Sequence, residues 1–455
     1  MISRAIWVAL GLLAAAALAC SSDESETNGG GAAGATGGHG ATGGTSSGGG
    51  GATGGGGSGA GVPACEEQAW ASFGHDAQRT FASSACIHGP LTTLWRYTPT
   101  PPADQAPIGG IYSAVADTTR IYLRWKGKQG PYYGTPFVDA ATTDGANAWQ
   151  WSSGVDSSFG QPLSLGFDNK VITNDDGIWY LDAATGQQTF NSGVDFWGQS
   201  APVPERVYVV NTAKVDGPGV FVGAYDATGT QLWKQNEMSG AGQFSHQDSV
   251  GALAADGGQL FYAASYTTNA PPLQFETGVY AFDGATGTQA WYQPTTPVGG
   301  ISAGSGLVFG TEGTAGNADL VARSQSDGAV AWQVTPEGSV GGQPPVLAGG
   351  LCIVGTGTKV IAYDAPSGAV AWSTDVAGAG QPAYGTPPKT TMAAALASNT
   401  LVVLAADAYV LDLTSGSITW SGPIDQAQGA AEPVLVGNRL YVVDFGGLTA
   451  VQSAP

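Results

Sequence analysis

Few side chains in this chain of 455 residues are placed to do chemistry. Four histidines and four cysteines are present, and none has the Cys/His spacing of a zinc site. His246 and Asp248 share the loop Gln243-Phe244-Ser245-His246-Gln247-Asp248, the least repeat-like polar cluster and a candidate functional one. His75-Asp76 lies in a segment ahead of any repeat, where a structural role is expected. Asp175-Asp176-Gly177 could suggest a cation site, but a hairpin turn accounts for it. The hydrolase pattern Gly-x-Ser-x-Gly occurs at Gly44–Gly48 and at Gly300–Gly304. It needs a strand-to-helix turn, which neither context offers.

What positions these residues is a repeat. Phe282-Asp283-Gly284-Ala285-Thr286-Gly287 closes with Trp291, Tyr363-Asp364-Ala365-Pro366-Ser367-Gly368 with Trp372, and Leu411-Asp412-Leu413-Thr414-Ser415-Gly416 with Trp420. A returning phrase marks one supersecondary unit stacked many times. Apolar residues alternate ahead of each Asp, as in Lys359-Val360-Ile361-Ala362-Tyr363, which is the period of a strand. Asp and Thr/Ser can bond local N–H groups, and Gly supplies positive φ. The phrase therefore predicts a hairpin turn, followed by a short strand whose Trp docks on the neighbouring unit.

The closing aromatics are Trp95, Trp149, Phe190, Trp233, Trp291, Trp332, Trp372 and Trp420. The copy before Trp149 reads as carrying an insertion after Asp139, and the copy before Trp332 has Ser324 in place of Asp. Leu91 to Pro99 supplies a closing strand with no strands before it, and Pro433 to Val451 supplies three strands with no closing Trp. Together they complete one unit. The expected fold is all-β, an eight-bladed propeller of four-stranded antiparallel blades, with N- and C-terminal strands sharing one blade.

The phrase resembles the docking motif of the quinoprotein-type (PQQ-like) β-propeller repeat, Ala-x-Asp-x-x-x-Gly-x-x-x-Trp, matched in full by Ala281 to Trp291 and by Ala362 to Trp372. The lead-in Trp70-Ala71-Ser72-Phe73-Gly74-His75-Asp76 with Arg79-Thr80 is similar to the segment preceding blade one in that family. The resemblance spans about residues 66–453 and implies a fold more than a function. Dehydrogenases of the family resemble one another in an adjacent Cys-Cys pair, a calcium-binding set of acidic and amide residues, and a catalytic Asp. This chain has no adjacent cysteines. Pyrroloquinoline quinone (PQQ) with Ca2+ is therefore expected only under a dehydrogenase reading, and otherwise no cofactor.

Residues 1–19 read as an export signal and Ala17-Leu18-Ala19-Cys20 as a lipobox, so Cys20 is the expected lipid anchor. Ser21 after the Cys, read by the sorting rule of known lipoproteins, favours the outer membrane. Residues 20–63 form a Gly-rich linker, with Gly at 19 of the 33 positions from 29 to 61, and cannot bury a core. Such a tether spans roughly 35 Å. Residues 64–455 are the propeller head, expected to be monomeric. A formal charge of −20 argues against nucleic acid, whose phosphates need clustered Lys/Arg. Cys65 and Cys86 flank the lead-in and are expected to form a disulfide, worth about 3 kcal/mol on the chain-entropy model, stapling a segment with few blade contacts of its own. Cys352 sits in an apolar strand and reads as a buried thiol.

Gln161, Gln199, Gln243, Gln343 and Gln381 recur near the start of a blade's first strand, with Gly109-Gly110-Ile111 and Gly299-Gly300-Ile301 in that place in two blades. First strands are innermost in a propeller, so these amides should ring one mouth of the channel. They either tie blades together or, with His246 and Asp248, form a polar funnel for a small ligand or peptide. The design resembles the propeller lipoproteins of outer-membrane barrel assembly, the BamB family. It implies a non-catalytic envelope protein binding a protein or peptide. The alternative is a quinone- or small-molecule-binding oxidoreductase or sensor.

Overall fold

The computed structural model describes residues 65–454, apart from 67, 104–105, 129–134, 155–161, 168, 175–176, 194–197, 212–220, 237–244, 247–252, 265, 268–277, 296–297, 315–316, 339, 341–342, 377–389, 425–431 and 445. The expected leader, Cys20 and the Gly-rich linker lie outside the described residues.

Eight antiparallel blades of four strands follow one another in chain order, the seventh gaining a fifth, parallel strand from Ala82–Ser83. Their innermost strands are Ala106–Ala116, Ser164–Gly166, Gly198–Val203, Leu253–Asp256, Val298–Gly304, Val346–Ala348, Thr391–Ala395 and Glu432–Val436, which open blades one to eight. Blade eight takes its outermost strand, Leu91–Tyr97, from the N-terminal side, paired with Gly447–Ser453. The shared blade expected from the unequal chain ends is thus formed. A two-stranded ribbon, Ser245–His246 with Tyr266–Thr267, flanks blade four.

The repeated phrase works as its residue types require. Asp283 Oδ1 accepts from Ala285 N, Thr286 N and Thr286 Oγ1 at 3.1, 2.8 and 2.7 Å. Such bonds hold Asp182, Asp226, Asp283 and Asp412 below their ordinary range, the Thr or Ser hydroxyl being the largest cause. The docking contact then joins neighbours. Trp291 Nε1 donates to Gln325 O of the next blade at 2.7 Å, Trp332 Nε1 to Ala365 O at 2.8 Å, and Trp372 Nε1 to Leu413 O at 3.0 Å. The same bond links Trp95 to Thr143, Trp149 to Ala183 and Trp233 to Gly284. Phe190 has no N–H, and at that junction Tyr180 Oη donates to Asp226 O instead.

Each indole or phenyl ring also lies flat against the turn glycine of the next blade. Gly145, Gly186, Gly229, Gly287, Gly328, Gly368 and Gly416 sit under Trp95, Trp149, Phe190, Trp233, Trp291, Trp332 and Trp372 in that order. Trp420 closes the circle on Gly89, just ahead of the strand that completes blade eight. Blade one corrects the expected insertion after Asp139. Its turn is Thr142 to Gly145, with Thr142 Oγ1 accepting from Ala146 N at 3.1 Å. Asp139 lies within strand Pro136–Thr142, buried, accepting from Tyr97 Oη of blade eight at 2.7 Å and from Gln150 Nε2 at 3.0 Å.

The lead-in threads the channel. Trp70 O accepts from Ala116 N of blade one, Ala71 O from Leu165 N of blade two, and Ala77 O from Ala255 N of blade four. Gln78 O accepts from Ala303 N of blade five, Thr80 O from Leu347 N of blade six, and Phe81 O from Ala394 N of blade seven, the six bonds spanning 2.5 to 3.0 Å. Ala82–Ser83 then pairs in parallel with Thr391–Ala395. The segment follows the circle of blades, turning at Gly74, His75, Arg79 and Phe81, whose φ values are 79°, 79°, 63° and 54°. This overturns the expectation that it has few blade contacts. The Cys65–Cys86 disulfide forms, with Cα atoms 5.3 Å apart, and closes this threaded loop.

Gly368 has φ +72° and an added Cβ would lie 2.7 Å from the Trp332 indole. Gly368→Ala should cost about 2–4 kcal/mol by combining left-handed strain with overpacking. Gly350, at φ +79° with nothing within 4 Å of an added Cβ, is the control and should bear the strain alone, about 1 kcal/mol. Urea denaturation of both variants checks the difference.

Candidate functional site

The channel holds the most unusual chemistry among the described residues. Arg79 is fully buried, and its guanidinium is spread over main-chain carbonyls. Nε donates to Leu253 O of blade four at 2.9 Å, Nη2 to Ser200 O of blade three at 2.6 Å, and Nη1 to Phe73 O within the lead-in. Its own carbonyl accepts from Ser302 Oγ of blade five at 2.9 Å. Burial lowers its pKa to about 10, against which Glu432 and Asp76 act to keep the charge. A buried cation needs this saturation, because desolvation is costly unless every donor is engaged.

Glu432 reaches in from blade eight, its side chain 2% exposed as part of the core wall. Oε1 accepts from Gly74 N at 2.8 Å and Trp70 Nε1 at 3.1 Å. Burial pushes its carboxyl up to about 8, while those two bonds and the Arg79 charge pull the other way. His75 is buried beside Trp70, ring centroids 5.0 Å apart, with Nδ1 3.3 Å from Asp76 Oδ2. Asp76 also accepts from Thr80 N at 2.9 Å and from the Thr80 hydroxyl. His75 Nε2 and Glu432 Oε2 are buried with no hydrogen-bond partner. The arrangement fixes a peptide segment through one buried cation, one buried carboxyl group and main-chain bonds. The resemblance carried the lead-in residues, but Glu432 was missed; its one signal was an acid opening the apolar strand Glu432-Pro433-Val434-Leu435-Val436.

The glutamines divide. Gln343 Nε2 donates to Met392 O at 2.9 Å and its Oε1 accepts from Met392 N at 3.0 Å, tying blade six to blade seven. Gln199 follows Gly198 at the start of strand Gly198–Val203 and is buried. Gln161, Gln243, Gln381 and Asp248 lie outside the described residues. His246 is placed on the blade-four ribbon by backbone pairing with Tyr266. The docking tryptophans act between blades, as described above. Cys352 is a buried free thiol whose pKa burial raises far above the ordinary value.

A quinone cofactor held with calcium needs oxygen ligands, acidic and amide, converging on one point. Among the described residues no three His, Cys, Asp or Glu side chains converge, and the buried acids Asp139 and Glu432 are engaged in separate blades.

Two outcomes follow. Glu432 binds its proton more tightly folded than unfolded, so its contribution to stability is full below its ordinary value near 4.5 and is lost as pH rises to about 8. Glu432→Gln keeps an oxygen for Gly74 N and Trp70 Nε1 and should flatten the fall in Tm between pH 5 and 8, read by thermal melts across that range. Gln343→Ala strands both main-chain groups of Met392 and should lower stability by about 1–3 kcal/mol in urea.

A family model described as outer membrane protein assembly factor BamB matches residues 275–454. No curated protein sequence matches the chain. Among solved structures, quinohemoprotein alcohol dehydrogenase from Comamonas testosteroni is similar at TM-score 0.59 and 13% identity, covering 84% of this chain and 80% of its own. A europium-containing methanol dehydrogenase is similar at TM-score 0.59 and 13% identity, covering 86% and 98%. BamB from Moraxella catarrhalis aligns at TM-score 0.48 and 14% identity, covering 80% and 99%. Sheet order and the likeness to the two dehydrogenase structures agree: the chain folds as an eight-bladed β-propeller, and its docking turns resemble those of the PQQ-like repeat.

Proposed function

We propose that this protein is a non-catalytic, envelope-anchored propeller that binds a protein or peptide partner. The observation that carries the reading is the lead-in itself. The ring holds a peptide segment by main-chain bonds from six blades, and two buried ionisable side chains, Arg79 and Glu432, bond to that segment or to the blades around it. The match to the assembly-factor model over the C-terminal blades supports the same direction and makes outer-membrane assembly the first task to test. Cys20 as lipid anchor and the Gly-rich linker would give the monomeric head reach over a membrane surface.

One observation favours the second reading, a small-molecule or quinone-binding oxidoreductase or sensor. His75 Nε2 and Glu432 Oε2 are buried polar atoms without partners, and such atoms call for water or a ligand.

The discriminating experiment is co-purification of the lipidated protein from its own envelope in mild detergent, with mass spectrometry and an absorbance spectrum of the eluate. The expected outcome is a defined protein complex and no chromophore. Recovery of the protein alone, with an absorbing small molecule, would replace the first reading by the second.

A further inference from the structure

Among the described residues, the lead-in receives no backbone N–H from blades three and eight. In blades two, four, five, six and seven the donor is the last residue but one of the innermost strand: Leu165, Ala255, Ala303, Leu347 and Ala394. In blade three that place is Pro202, which has no N–H to give. Arg79 Nη2 reaches Ser200 O instead, two residues back. At this unpaired position a cavity of about 530 Å³ opens between the lead-in and the turns of blades three and four.

The cavity wall is apolar where the prolines lie, with Pro202, Val203 and Pro204 on one side and Ala77 and Ala255 on another. Its charge is one-sided. Asp256 has two amides for company, Gln325 Nε2 at 2.8 Å and Gln78 Nε2 at 3.4 Å, and forms no ion pair among the described residues. The one cation in the lining, Arg206, is turned to Gly284 O at 2.7 Å with Glu205 3.9 Å away. The groove therefore presents an uncompensated carboxylate, held in place by neutral donors, beside apolar walls. An anion would meet no available cation here.

Resting on the partner-binding reading above, we propose that this groove docks an extended peptide segment of a partner carrying an Arg or Lys beside an apolar residue. Charge complementarity selects that occupant over two others. The chain's own linker, residues 21–63, contains no Lys or Arg. A second copy brings a formal charge of −20 to an acidic groove.

The test uses the full chain and a fluorescent peptide, acetyl-Pro-Leu-Arg-Pro-Leu-Arg-amide, with a Gln-for-Arg peptide as control, read by anisotropy. The Arg peptide should bind more weakly as salt rises, and the Gln peptide should not bind. Asp256→Asn should weaken binding roughly tenfold, the value of one charge-assisted hydrogen bond, with Tm unchanged. Equal binding of the two peptides, equal binding by the variant, or no binding of either peptide would each overturn the groove. Retention of a native complex by Asp256→Asn as fully as by the parent would also overturn it while leaving the partner-binding reading intact. Loss of any complex from both proteins would overturn that reading instead.

Discussion

Eight innermost strands leave eight backbone edges facing one narrow channel, and those edges need partners. Water can serve an open channel, but a buried N–H without a partner costs about as much as a lost hydrogen bond. The lead-in meets the demand with main chain. Its carbonyls accept from six blades in the order in which the blades follow one another, and Glu432 and Arg79 bind the remaining two. This makes the ring mutually dependent. No blade finds its full set of bonds until the others have brought their edges to the same circle.

The outer circumference answers to a second constraint, the fit of a planar aromatic ring on a glycine. An indole needs a flat seat, and a turn residue with positive φ and no Cβ provides one. Closure also uses a glycine, but one outside the left-handed region. Gly89 takes the seat under Trp420 although it belongs to no docking phrase, because blade eight has no turn between its third and fourth strands; the chain breaks there instead. The residues flanking Gly89 are tied on both sides, Thr400 Oγ1 donating to Ile87 O at 2.8 Å and Ala454 N to Pro90 O at 2.8 Å. The disulfide and the borrowed strand therefore hold the same stretch of chain from opposite ends.

How much of this was legible in the sequence follows from which atoms carry each contact. The docking phrase was legible because side-chain chemistry dictates it, and the blade count, the shared blade and the buried Cys352 follow from it. The copy at blade one was misread because Thr142 replaces the expected Asp, while a true Asp at 139 serves Tyr97 across the closure. The path of the lead-in was not legible. Its bonds run through carbonyls, which every residue possesses, to strands as far as Ala394 in the chain. Gln343 shows the middle case. Its position suggested either a blade tie or a funnel, and the Met392 bonds give the tie at that position.

Pro202 gains its interest from this background. Ring stability favours a donor at the last residue but one of an innermost strand, and five blades supply it with Leu or Ala. A proline there gives up a hydrogen bond, and a second at Pro204 stiffens the turn that follows. Edge strands tolerate proline because the missing N–H points away from the sheet, so the fold survives the substitution without asking for it. The consequence is local: the lead-in loses its grip on one blade, and the two surfaces part into a groove. Departures from a repeated rule that weaken the scaffold without helping it are where function is best sought. The departure at blade three lies beside a cavity lined by Pro202, Val203 and Pro204.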